Sequence, residues 1–191
     1  MGARGDRSHS ARRLRGRSRL SPARTPRATI AAALVVVALD QASKALVRRA
    51  LPLGAEWPPG GVLGGWFAIH HVANTGMAFG LARGSGPLLL VVALAVAGGL
   101  LTWAARVPAA ERTLQLGLGL VVGGALGNVI DRLHLGHVVD FLDARIWPVF
   151  NLADSAISIG VVILAWHAWR EERRGAEPRP DQAAIEPAPD A

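Results

Sequence analysis

The chain has 191 residues, with 21 basic and 14 acidic side chains, a net charge of +7 and no cysteine. It is 51% apolar and only 18% charged, whereas an ordinary soluble domain carries about a quarter charged residues. Without cysteine there is no disulfide scaffold, no thiolate-ligated metal and no cysteine nucleophile.

Residues 1–27 hold nine arginines and one acid, so the excess positive charge sits at the start of the chain. A nucleic-acid-binding protein spreads basic residues over a folded face, often beside aromatic platforms. This segment has no aromatic residue. It reads as a disordered cytoplasmic tail drawn to anionic lipid headgroups, and nucleic acid is not an expected partner. Residues 28–47 are apolar until Asp40, Gln41, Ser43 and Lys44. No A-x-A-like cleavage site follows them, so this first apolar run is read as a retained anchor. Segment 48–83 is too long for a tight turn and contains Pro52, Pro58 and Pro59. Within it, Gly65–Phe79 is expected to form short strands on the membrane surface, and the segment as a whole to cover a site as a lid.

Three further apolar stretches follow. Between Arg83 and Arg106 lie 22 uncharged residues, between Arg112 and Asp131 another 18, and between Arg145 and Arg170 lie 24 with the single charge Asp154. A helix needs about 20 apolar residues to cross a bilayer core. The chain is therefore read as an all-α integral membrane protein with four transmembrane helices, at about 28–47, 85–105, 113–130 and 149–169, and a small extracytoplasmic strand and loop region. Gly119, Gly123 and Gly127 recur every fourth residue of the third span, a small-residue face for a neighbouring backbone. The membrane domain is expected to cover 28–170. Residues 171–191, rich in Pro, Ala and acid after Gly175, read as a second disordered cytoplasmic tail.

Fifteen of the 21 basic residues fall in residues 1–27, in the Arg106–Arg112 turn and from Arg170 onward. The positive-inside rule then puts both termini in the cytoplasm, with Trp103, Trp166 and Trp169 at the inner interface and Trp147 at the outer one. Under that topology the polar residues of the spans gather on the outer side: Asp40, Lys44, Asn74, Asn128, Asp131, Arg132, Asp140, Asn151 and Asp154. A charge near the centre of a span costs about 2.5–3.5 kcal/mol on insertion scales, so such residues point to a site.

Paired carboxylates in a partly dry site share one proton. The ionised one takes a proton from water; the protonated one hydrogen-bonds a carbonyl and later protonates a leaving amine. That is aspartic peptide hydrolysis. Spacing does not choose the pair among Asp131, Asp140, Asp143 and Asp154. Asp131 reads as a helix-end ion pair with Arg132, and Asp143 as a surface pair with Arg145. Asp154 lies inside an apolar helix, and Asp140 lies between Val139 and Phe141, where its pKa would rise. Two rival readings exist. His134, His137 and Asp140 are three apart, as ligands on one helix face would be, but Gly136 interrupts that helix. A transporter would place polar residues in both leaflets.

Five blocks resemble the lipoprotein signal peptidase family, the type II signal peptidases. They are Asp40–Lys44, Asn74–Phe79, Gly123–Arg132, Val138–Phe141 and Phe150–Asp154, in that order, over about residues 30–170. The resemblance implies a membrane aspartic endopeptidase that cuts the signal peptide from a prolipoprotein before a diacylglyceryl-modified cysteine. It puts the catalytic pair at Asp140 and Asp154. Asn74, Gly124, Asn128, Asp131, Arg132 and Asn151 fall on positions that bind substrate or support the site, and Asp40 and Lys44 on structural ones, as an i,i+4 pair. It implies prolipoprotein and lipid partners and a bacterial cytoplasmic membrane with the site near its outer face; no metal and no cofactor are expected, and a monomer is, since four spans suffice to surround one site.

Overall fold

The computed structural model describes residues 26–62, 65–76 and 86–176. The Arg-rich tail up to residue 25, the 77–83 part of the expected lid and the tail from 177 lie outside the described residues. Four helices carry the fold: α1 (Arg27–Ala50), α2 (Gly86–Ala104), α3 (Arg112–Leu135) and α4 (Leu152–Ala176). All four are long and apolar enough to cross a membrane. A helix satisfies its own backbone, which is what a span without water requires.

The centre of the bundle is α3, which packs against each of the other helices. Of its apolar window 67% is buried, against 11–22% for α1, α2 and α4. Those three expose Leu34, Leu39, Leu88, Val91 and Val162, the side chains that lipid would cover. The glycines of α3 explain how close the helices come. A Cβ on Gly119 or Gly123 would lie 2.6 or 2.7 Å from the carbonyl oxygens of Thr29 and Ala33, and one on Gly127 would lie 2.5 Å from the Asp40 carboxylate. The small-residue face expected from the fourfold spacing is therefore where α1 lies, parallel to α3. A different face, at Gly117 and Gly124, receives α4 running antiparallel.

At one end of the bundle α2 turns into α3 around Ala104, Val107, Leu114 and Leu118. There Thr29 donates its hydroxyl to the Gln115 carbonyl at 3.1 Å, and Gln115 caps the Val107 and Pro108 carbonyls. The opposite end carries an antiparallel sheet of β1 (Glu56–Val62), β2 (Phe67–Asn74) and β3 (Val138–Asp143), with β2 in the middle. Val72 faces Asp140 and Asn74 faces Val138 in the register. Asn74 lies in the stretch expected to form strands, and Asp140, expected in a connection, stands on the strand paired with it, where the ladder satisfies their backbone. Helix α3 continues past the expected end at 130, because Asp131 and Arg132 find partners, and stops at Gly136, whose φ of 76° supplies the left-handed cap. Helix α4 begins at Leu152 and not at 149, since Phe150 still bridges to Leu142.

Candidate active site

The start of α4 is a reciprocal cap. Asn151 Oδ1 accepts the Asp154 N–H at 2.9 Å, and Asp154 Oδ2 accepts the Asn151 N–H at 3.3 Å. This is capping-box geometry, which satisfies two otherwise orphaned donors of the first turn. The same hydrogen bonds turn Asp154 toward the end of α3. There Asn128 Nδ2 donates to Asp154 Oδ1 at 2.8 Å. Asn151 Nδ2 donates both to Asn128 Oδ1, at 3.1 Å, and to Asp140 Oδ1, at 2.7 Å. Asp140 Oδ2 accepts from Asn74 Nδ2 at 2.8 Å. One chain of hydrogen bonds therefore runs Asn74, Asp140, Asn151, Asn128, Asp154, drawing on β2, β3, α3 and α4. Asp140 is 2% exposed and Asn151 is fully buried, while Asp154 is half-buried.

Burial pushes the Asp140 carboxyl up to about 6. The Asn74 hydrogen bond opposes that rise, the negative charge of Asp154 adds to it, and Asn151 and Lys44 oppose it further. Asp140 and Asp154 are thus close enough to feel each other's charge, as a shared-proton pair requires.

Beneath this chain lies a buried ion cage. Lys44 Nζ is 2.8 Å from Asp40 Oδ2 and 2.9 Å from Asp131 Oδ2, and donates to Asn128 Oδ1 at 3.0 Å. The carboxylates are anchored in turn: Asp40 accepts the Ala153 N–H and Asp131 accepts the Val139 N–H, each at 3.0 Å. Gln41 bridges Asp131, at 2.9 Å, and the Gly127 carbonyl. The cage pins α1, α3, the first residues of β3 and the start of α4 to one another. Gly124 belongs to the same arrangement, since a Cβ there would collide with the Ala153 carbonyl and with Ile157.

Several sequence expectations change here. The ion-pair partner of Asp131 is Lys44, not Arg132, because α1 lies parallel to α3 and delivers its ammonium to that point. Arg132 donates to the Asn128 carbonyl at 3.3 Å and lies within electrostatic reach of Asp154 and Asp140. Asp143 is not on the surface: it is 6% exposed, accepts the Arg145 N–H at 2.8 Å and pairs with the Arg145 side chain at 3.3 Å. It ends β3 opposite Ala68, pointing away from the chain of carboxamides. Asp40 and Lys44 do form the expected i,i+4 pair, but Lys44 also touches Asn128 and so stands one hydrogen bond from Asp154. Gln41 and Ala153 lie within the first and fifth of the five blocks, but sequence reasoning gives neither a role; a glutamine beside Asp40 in an apolar helix is the available signal for the first, and the backbone N–H that the second supplies leaves none. His134 is exposed in the last turn of α3 and His137 follows the Gly136 cap. Among the described residues, no three His, Asp or Glu side chains gather as metal ligands would.

Known proteins are similar to this chain in sequence and in fold. Residues 32–170 match the profile of the signal peptidase II family. The lipoprotein signal peptidase of Moorella thermoacetica is 47% identical over 134 residues, 70% of this chain and 87% of that protein. That of Halothermothrix orenii is 40% identical over 142 residues, 74% of this chain and 95% of that protein. A bacterial membrane enzyme solved in meso at 2.3 Å superposes with a TM-score of 0.71 at 28% identity, covering 79% of this chain and 93% of that one. The matched stretch takes in all four helices, the sheet, and every member of the hydrogen-bond chain and the ion cage. The chain belongs to the signal peptidase II family, a family of membrane-bound aspartic peptidases.

Proposed function

We propose that the protein removes the signal peptide from diacylglyceryl-modified prolipoproteins, cutting before the lipid-modified cysteine, with Asp140 and Asp154 as its catalytic pair. The observation that carries this reading is the hydrogen-bond chain from Asp140 through Asn151 and Asn128 to Asp154. It holds two carboxyl groups from different elements in one hydrogen-bonded cluster, with each carboxamide along it bonded to a fixed partner. Asp140, buried and pushed up to about 6, carries the shared proton. It donates a hydrogen bond to the scissile carbonyl. Asp154, half-buried, takes a proton from the attacking water. Asp140 then reprotonates, through the pair, the amine that leaves. Each such positioned group typically contributes about 10²–10⁴-fold. Asn74 and Arg132 flank the carboxylates and orient the substrate backbone and the pair. Asp40, Lys44 and Asp131 act through Asn128 and the backbone they hold.

The mechanism calls on no cofactor and no metal. The protein works as a monomer, since one copy supplies every group named. Both termini lie in the cytoplasm of a bacterial cell, and the sheet end of the bundle faces outward across the cytoplasmic membrane. The distribution of arginines supports this orientation, as does a tryptophan at each end, with Trp147 beyond the sheet and Trp103 at the far end of α2, both exposed. Residues 28–170 form the peptidase domain; α4 runs beyond the expected boundary to Ala176, and the segments on either side lie outside its chemistry.

The test is a diacylglyceryl-modified prolipoprotein followed on a gel with purified wild type, Asp140→Asn and Asp154→Asn, with and without chelator. Cleavage by the wild type, indifferent to chelator and lost by at least 10²-fold in each variant, supports the reading. Turnover near the wild-type level in either folded variant excludes the pair.

A further inference from the structure

At the end of the bundle opposite the sheet, α4 and the turn into α3 enclose a cleft of about 220 Å³. Its α4 wall is one helix face, where Trp166, Arg170 and Arg174 stand at i, i+4 and i+8. Glu111 and Arg112 form the facing wall. Both carboxylates of the cleft are already engaged. Glu111 Oε2 lies 3.2 Å from His167 Nε2, and Arg174 donates to Glu171 at 2.9 Å. Arg112 and Arg170 are exposed, and among the described residues neither has an ion-pair partner. Three arginines against two glutamates leave an excess of one positive charge, before any on His167 is counted.

We propose that this cleft binds the phosphodiester headgroup of an anionic phospholipid from the surrounding bilayer. The proposal goes beyond the catalytic pair and stands or falls without it. Two guanidinium groups from separate elements, both without a carboxylate, suit phosphate oxygens between them, since arginine matches phosphate in geometry as well as charge. The cleft is smaller than the roughly 300–1,000 Å³ of a pocket that encloses a drug-sized ligand, so it takes a headgroup and leaves the rest of a lipid outside. A free phosphate would satisfy the same arginines. What selects the lipid is the surface that leads away from them. Ile159, Val162 and Trp166 are 55%, 67% and 56% exposed, and they lie on one stripe of α4 that runs into Arg170. A phospholipid lays its acyl chains along that stripe while its phosphate meets Arg112 and Arg170; a soluble phosphate leaves the stripe unused. The level is also right. Trp166 packs against Trp169 with ring centroids 5.0 Å apart, and Arg173 lies 4.4 Å over the Trp169 ring. Such tryptophans sit at the height of the headgroups, and basic pockets between spans at the cytoplasmic surface are where anionic headgroups dock.

The test measures lipid binding to the full-length protein by native mass spectrometry, with dioleoyl phosphatidylglycerol and dioleoyl phosphatidylcholine as probes. Wild type is expected to bind the phosphatidylglycerol at least about tenfold more tightly. Arg112→Gln and Arg170→Gln are each expected to weaken that binding about fivefold, the worth of one basic residue at an anionic lipid surface. Together they are expected to erase the preference, with phosphatidylcholine binding unchanged. Melting curves in detergent free of phospholipid check that each variant is folded. The Arg48→Gln, Arg49→Gln pair, at the sheet end of the bundle, is expected to keep the preference. Equal binding of the two lipids by wild type overturns the proposal, as does a preference retained in the Arg112→Gln, Arg170→Gln protein or lost equally in the Arg48→Gln, Arg49→Gln one. Inorganic phosphate in excess is expected not to compete. Displacement of phosphatidylglycerol by it assigns the cleft to a soluble anion and overturns the lipid. The preference and the competition are both read on wild type, so the proposal can fail without any variant.

Discussion

Asp154 stands at the third position of α4 and closes the helix cap with the same carboxylate that the proposed mechanism needs. Asparagine there keeps one acceptor oxygen for the cap, which makes Asp154→Asn a probe of chemistry more than of folding. Asp140 makes a second residue-scale prediction. Its folded pKa, about 6, lies above the ordinary carboxylate value of 3.8. The folded state therefore binds that proton more tightly than the unfolded chain, and this contribution to stability is largest below the ordinary value and falls as pH rises through about 6. The proposed mechanism needs the proton as well, so the alkaline limb of kcat/KM in the free enzyme is expected near pH 6. The Asn74 amide favours the ionised form. Asn74→Ala is expected to move that limb to higher pH while lowering kcat. A pH profile of wild type and variant decides it, and a limb moving downward contradicts the proton assignment. For Asp143 the outcome differs. Asp143→Asn gives up the Arg145 ion pair but retains an acceptor for the Arg145 N–H. We expect more than a third of wild-type turnover and a loss of stability of about 1 kcal/mol, read by activity assay and thermal unfolding in detergent.

At the scale of elements, what matters is how α1 meets α3. Lys44 neutralises two carboxylates that are themselves almost wholly buried. Removing one partner of a buried ion pair typically costs about 3–5 kcal/mol, because a charge is left uncompensated. Lys44→Met is therefore expected to unfold at markedly lower temperature or to fail to accumulate. Adding Asp40→Asn and Asp131→Asn is expected to restore much of the loss, since both can still accept their backbone N–H groups. A triple variant less stable than Lys44→Met contradicts the ion cage. The glycines offer a matched pair. Gly123→Leu forces α1 away and should cost at least the 1–3 kcal/mol or so of an overpacked core. Gly98, on α2, has nothing within 4 Å of a Cβ, so Gly98→Ala should be neutral or stabilising by up to about 1 kcal/mol. Comparative melting curves decide both.

The parallel run of α1 beside α3 also marks where sequence reading stops. Four apolar stretches announce four helices, because length and the absence of charge are local properties. The fourfold glycine spacing announces a contact face. Neither says which helix occupies that face, so Asp131 was paired with its neighbour Arg132 when its partner comes from 87 positions earlier in the chain, at Lys44. Asp143 was misread for a similar reason: its burial comes from β2, whose Pro- and Gly-rich surroundings give little alternating pattern to read. Chemistry suggests the proposed catalytic pair and family resemblance chooses it; the five linked side chains around it come from four elements whose spacing carries no local signal.

Seen whole, the molecule is polar along its axis. Its buried charges and its sheet lie at one end, and the opposite end is closed by the neutral Thr29 and Gln115 contacts. Such a bundle has a direction in a membrane, and reporter fusions at residue 10 and after residue 180 should both report the cytoplasm. Deleting residues 2–20 should leave turnover of the purified enzyme within about twofold, since every site residue named among the described ones lies in or after α1. A folded but inactive truncation would give the tail a part in the chemistry.

The two central carboxamides leave little slack. Asn128 and Asn151 each spend both amide groups on fixed partners, so neither can change without disturbing both acids at once. An inhibitor that mimics the tetrahedral intermediate and bonds to this frame would meet a target with few viable escapes. Resistant lineages should then alter how much enzyme they make, or how much drug they admit, before they alter these residues. Sequencing such lineages would measure how tightly a hydrogen-bond network can confine evolution.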